Sequence, residues 1–163
     1  MSGARDISNW RVVAQVCLDP LPNDWREQLI QRIGQRPRRI GGWAELALYG
    51  ARLCLDAAQE AMLPSAVQLR VASLSGPLTA SRSIIEQARS SLPRPFTFMQ
   101  SQPSQLLATL SQHLQWQGDA RFTVCRDRDA VLELAKLECS TAGLLIGWVE
   151  EDTRTQWWRL ARD

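Results

Sequence analysis

The sequence predicts an α/β layered domain, a mixed sheet covered by helices. Three observations carry that reading. Runs rich in β-branched residues alternate along the chain with segments of helical periodicity. "AGLLIGWVEE" is a nearly continuous apolar run, the pattern of a strand covered on both faces. That run turns through the polar "EEDTR" into "TQWWRLA", so the chain closes on a β-hairpin.

Taken in order, residues 1–37 read as an irregular N-terminal segment holding a short strand, Val12–Leu18, and a short helix within residues 21–34. Asn23 or Asp24 is the expected cap of that helix. After the break at "QRPRRIGG", "WAELALYGARLCLDAAQEAM" sets Leu46, Tyr49, Gly50, Leu53, Ala57 and Ala61 on one helical face, with Pro64 as its stop. Small residues on that face allow close approach to a sheet or another helix.

"VQLRVASLSG" (67–76) reads as a strand and "GPLTASRSIIEQARSS" as a helix. "LPRPFTFMQSQPS" reads as an extended connection fixed by Pro93, Pro95 and Pro103. "SQLLATLSQHLQW" is a helix with Leu106, Leu107, Leu110 and Leu114 inward, stopped by Gly118. "ARFTVC" is a strand and "RDAVLELAKLEC" a helix. Residues 152–163 form the last strand, expected at an edge of the sheet. Strict alternation there sends one of Trp157 and Trp158 inward and the other outward, where an exposed indole suits a partner surface.

Composition narrows the functions. The 163 residues fit one domain (1–163), with 45% hydrophobic and 22% charged residues. A net charge of +2 lacks the basic footprint of a nucleic-acid binder. Four cysteines without a CxxC pair, beside a single histidine, argue against a metal site. "SLSGP" lacks the glycine spacing and lysine of a phosphate loop, so no cofactor is implied. Cysteines within apolar runs suggest free thiols in a reducing cytoplasm. No hydrophobic signal core and no run near the roughly 20 apolar residues of a spanning helix is present, so no membrane insertion is expected.

From "RRIGGWAELALYGARLCLDAA" through "VQLRVASLSGPLTASRSIIEQ", "FTFMQSQPSQLLATLSQHL" and "FTVCRDRDAVLELA" to "GLLIGWVEE", residues 38–151 resemble the N-terminal half of a β-ketoacyl synthase. They are most similar to short chain-length-factor-like proteins of bacterial aryl polyene and related type II pathways. The resemblance implies a half-length thiolase-like fold, with residues 143–151 central in the sheet and next to residues 120–125. It also implies a ketosynthase subunit, an acyl carrier protein or a second copy as partner. Arg36, Arg38 and Arg39 of "RPRRI" are then candidates for docking an acidic carrier protein, against the plainer reading of a solvated basic loop. Trp157 and Trp158 are candidates for the partner surface.

Cys125 is the candidate nucleophile, since a cysteine delivered by a strand to a helix N-terminus is where a reactive thiolate forms. Against this, Arg126, Asp127, Arg128 and Asp129 follow it, where the resemblance calls for small residues. His113 is the sole histidine, where ketosynthase chemistry uses two, or a histidine and an asparagine. Three readings stand. The first is a catalytically silent ketosynthase-like partner. The second is a minimal acyltransferase or thioesterase using Cys125 with His113. The third is an unrelated α/β binding module.

Overall fold

A computed structural model describes residues 9–163; residues 1–8 of the N-terminal segment lie outside the described residues. The elements run β1 (Trp10–Leu18), α1 (Trp25–Ile33), α2 (Gly42–Ala57), β2 (Val67–Ser73), α3 (Leu78–Ala88) and α4 (Pro95–Gln100). They continue with α5 (Pro103–His113), β3 (Ala120–Val124), α6 (Arg128–Glu138), β4 (Gly143–Glu150) and β5 (Arg154–Arg162). One five-stranded sheet has the order β1-β5-β4-β2-β3. Strands β2, β3 and β4 are parallel, and β5 runs antiparallel to both β4 and β1. The expected mixed α/β sheet is present.

Helices cover both faces. On one, α1, α2 and α5 pack over Leu69, Val71, Leu145, Val149 and Trp157. On the other, Val131 and Ala135 of α6 pack over Ala72, Leu144, Ile146, Trp148, Trp158 and Leu160. The alternation of Leu144, Ile146 and Trp148 with Leu145, Gly147 and Val149 therefore feeds two separate cores. That is why the run is apolar without interruption.

Several expectations are corrected. From Trp10 on, the N-terminal segment is more regular than expected: the short strand is β1, two residues longer at its start and paired along its length with β5, and the short helix is α1, which buries Trp25 and Leu29 against the core. β1 has the mixed burial of an edge strand, so its sequence carries a weak strand signal. Because β1 takes the edge, β5 is an interior strand, with both faces covered. Neither indole of its tryptophan pair faces outward: Trp157 is 0% and Trp158 6% exposed. Trp25 and Trp43 are buried as well, and Trp43 Nε1 donates to the Val149 carbonyl at 3.0 Å. The connection at residues 92–104 is not wholly extended, since Pro95 starts α4. β4 is central as required, but β2 separates it from β3. The five-residue, half-exposed β3 suits the edge, whereas every residue of β2 is buried.

Helix α2 is buried nearly all round, from Trp43 to Ala51, between the sheet, α1 and α5. It ends at Ala57, before Ala61 and Pro64. Its approach to the sheet depends on Gly50. A side chain there would run into Thr155 and the Trp157 indole, and one at Gly147 would lie 2.5–2.6 Å from the same ring.

Two interior strands carry buried arginines. Arg159 of β5 makes a two-pronged bond to Glu60, at 2.8 and 2.9 Å, and Arg70 of β2 bonds Asp119 at 2.8 Å. Burial pushes the Asp119 carboxyl up, but Arg70 and then Arg121 outweigh it and hold the group below its usual value of 3.8.

Two predictions follow from this packing. Ile146→Asp puts an unpaired carboxylate into a site that is 1% exposed, and the variant is expected to be insoluble, or soluble without near-ultraviolet circular dichroism. Retention of the wild-type melting temperature would contradict the central position of β4. A carboxyl lowered in the folded state stabilises above its unfolded value and ceases to do so as pH falls through its folded value. Asp119→Asn is therefore expected to cost about 1–3 kcal/mol at pH 7. The difference from wild type should narrow on acidification below about pH 4, as followed by urea unfolding across pH.

Candidate functional site

The carboxyl ends of β2 and β4 and the start of α6 enclose a cleft of about 340 Å³, whose lining includes Leu74, Leu78, Arg126, Trp148, Glu150 and Arg154. A polar hollow of about 510 Å³ continues from it over residues 126–129. Cys125 follows β3 just before the lining residue Arg126 and does not itself line the cleft or the hollow; its backbone N–H extends the ladder to the Ser73 carbonyl at 3.2 Å. The strand thus delivers the cysteine to the mouth of a helix, as its sequence position implies.

The helix donors that follow Cys125 are already taken. Asp127 is the cap of α6, and its Oδ1 accepts from the N–H groups of Asp129 (2.9 Å) and Ala130 (3.2 Å). Those are donors that would otherwise face a thiolate or an acyl oxyanion. The half-buried Cys125 Sγ instead donates to the Asp127 carbonyl at 3.4 Å. Other backbone donors at the rim are taken in the same way. The Glu150 carboxylate accepts from Leu74 and Ser75, and Glu151 Oε2 accepts from the Thr79 N–H at 2.8 Å. Acidic side chains of this chain thus occupy the rim.

His113 is elsewhere. It ends α5, whose following turn meets the amino end of β2 through a bond from Leu63 N–H to the Leu114 carbonyl. Cys125 lies beyond the other end of β3, and five residues of strand span roughly 16 Å. The structure does not bring the two together. Burial lowers the His113 pKa below 6.5.

His113 instead shares a cleft of about 210 Å³ with Arg36 and Arg38, and Thr109 and Gln112 also line it. Arg39 adopts φ 63°, its carbonyl accepts from Gln105 Nε2 at 3.2 Å, and its guanidinium lies 5.7 Å from the Phe96 ring centre. The sequence offered Cys125 with His113 and, separately, the arginine loop. The fold pairs the histidine with the arginines. Only tertiary packing of α5 on the loop before α2 creates that neighbourhood. The capping role of Asp127 had a local signal, an aspartate directly before a helical run, whereas the Glu150 and Glu151 contacts join residues over 70 positions apart and had none.

Among the described residues no group of three or more His, Cys, Asp or Glu side chains is placed to hold a metal ion, and no helix is long and apolar enough to cross a membrane.

No family model matches the sequence, and no curated protein matches it. Solved structures do. The chain is similar to a structure of the ketosynthase ApeO in complex with its chain length factor ApeC from Xenorhabdus doucetiae. There the TM-score is 0.66 at 13% identity, over 95% of this chain and 79% of that one. A β-ketoacyl synthase from Burkholderia phymatum gives 0.56 at 14% identity, over 87% of this chain and 45% of that one. An OleA variant from Xanthomonas campestris gives 0.54 at 12% identity, over 94% and 58%. This chain therefore spans about half the length of the last two. At these identities what is shared is the backbone arrangement, and on that ground the chain has the thiolase-like fold of the ketosynthases.

Proposed function

We propose that this protein is a non-catalytic, chain-length-factor-like partner in acyl or polyene biosynthesis of the fatty acid or polyketide type. In this reading it pairs with a ketosynthase subunit, or with a second copy, and shapes or stabilises the complex around a growing acyl chain delivered by an acyl carrier protein. The observation that carries the reading is the Asp127 carboxylate, which occupies the α6 N–H groups beside Cys125. A nucleophile's usual stabilising donors are thereby filled by an anion, and His113 is too remote to take the thiol proton. The shared fold, and the ketosynthase–chain length factor complex among the similar structures, support the choice of partner.

The test has two arms. Co-expressed with a ketosynthase from the same gene neighbourhood, the protein is expected to co-elute in gel filtration, as an interface of at least about 1,000 Å² allows. Incubated with an acyl-loaded carrier protein, it is expected to gain no acyl mass, and Cys125→Ala is expected to leave pathway output unchanged. A stoichiometric thioester on Cys125 would replace this reading with the acyltransferase one. A monomer that captures no ketosynthase would remove the partner role.

A further inference from the structure

The net charge of +2 conceals a sharp segregation. Residues 28–44 and 87–118 contain no Asp or Glu, yet they carry Arg32, Arg36, Arg38, Arg39, Arg89, Arg94 and His113. Arg32 pairs with Asp56; among the described residues the other five arginines have no carboxylate partner, and all five are exposed. The fold joins the two segments. Arg39 lies over Phe96, Gln105 bonds the Arg39 carbonyl, and Gln100 packs against Gly41. The Arg94 N–H bonds Gln87 Oε1, which ties α4 to the end of α3.

The same surface is apolar to an unusual degree. No residue of α3 or α4 is buried. Ile85, Phe96, Phe98 and Met99 are each about half exposed, at 58%, 53%, 54% and 50%. Leu92, in the turn between Arg89 and Arg94, is 89% exposed.

From this combination we infer that α4 and the turn before it (residues 89–100), with the arginine loop before α2, dock the protein peripherally on an anionic lipid bilayer. Apolar side chains that project beside unpaired arginines match the chemistry of an interfacial anchor: the apolar groups enter the headgroup boundary while the guanidinium groups meet lipid phosphates. The cleft between Arg36, Arg38 and His113 offers a phosphate a place free of lining carboxylates. A second copy of the chain fits less well, because self-pairing through this face sets arginine against arginine. An acidic protein accounts for the arginines but leaves Leu92 and Met99, which project from a turn and a one-turn helix, without a role. A fluid surface takes both without needing a complementary pocket. The inference is independent of the ketosynthase partnership, since it concerns the isolated chain.

Purified full-length protein is to be sedimented with vesicles of phosphatidylcholine alone and with vesicles containing 30% phosphatidylglycerol. Binding is expected to the anionic vesicles only, and to be lost in 0.5 M salt as the surface charge is screened. At roughly fivefold per arginine, the combined Arg36→Gln, Arg38→Gln and Arg39→Gln variant is expected to bind about a hundredfold more weakly. Leu92→Ser with Phe96→Ser is expected to weaken binding with the arginines intact. All five positions are exposed, so unchanged circular dichroism is expected to confirm folding. No binding to anionic vesicles, equal binding to both kinds, or indifference to the arginine substitutions would each overturn the proposal. So would capture of an acidic carrier protein, or concentration-dependent self-association through this face, in the absence of vesicle binding.

Discussion

The architecture depends on where one indole goes. Trp157, on an interior strand, needs a space the size of a tryptophan between the sheet and α2. Two glycines supply it, Gly147 on β4 and Gly50 on α2. The ring is fully buried, and its Nε1 donates to Thr155 Oγ1 at 2.8 Å, so no polar atom of the indole is stranded. With the ring seated, α2 lies close enough to the sheet to bury its side chains from Trp43 to Ala51. Trp43 then reaches the Val149 carbonyl, fixing the start of α2 over the end of β4. The candidate site is built at that same end.

A strand packed on both faces also fixes the character of the site. β4 ends in Glu150, with Glu151 next in the turn, and its burial presents both carboxylates to the backbone donors that follow β2. Asp127 does the same for α6. Each contact satisfies donors that a helix or turn leaves unpaired, and so steadies the fold. Each also removes a donor from substrate chemistry. Structural satisfaction and substrate binding draw on the same N–H groups, and in this chain Asp127, Glu150 and Glu151 hold them.

Much of this was legible in the sequence. The apolar run at residues 142–151 identified the central strand because both faces of β4 meet helices, and the leucine spacing of α5 identified its buried side. The tryptophan pair misled because strict alternation was read against an edge strand. In an interior strand both sides are buried, with Trp157 under α2 and Trp158 on the α6 side. β1, which makes β5 interior, has only one well-buried residue, Ala14, and so announces itself poorly. The meeting of His113 with Arg36 and Arg38 arises from packing between segments some 75 residues apart, which no local pattern encodes. Net charge hid the basic face for a related reason: it sums over the whole molecule, whereas residues 28–44 and 87–118 carry arginines and no acids.

The seating of Trp157 is open to direct measurement by a double-mutant cycle in urea. Gly147→Ala alone is expected to cost about 1–3 kcal/mol by overpacking against the ring. In a Trp157→Phe background the smaller ring leaves room for the added methyl group, and most of that cost should vanish, giving a coupling of at least about 1 kcal/mol. Additive effects of the two substitutions would contradict a fold organised around that indole.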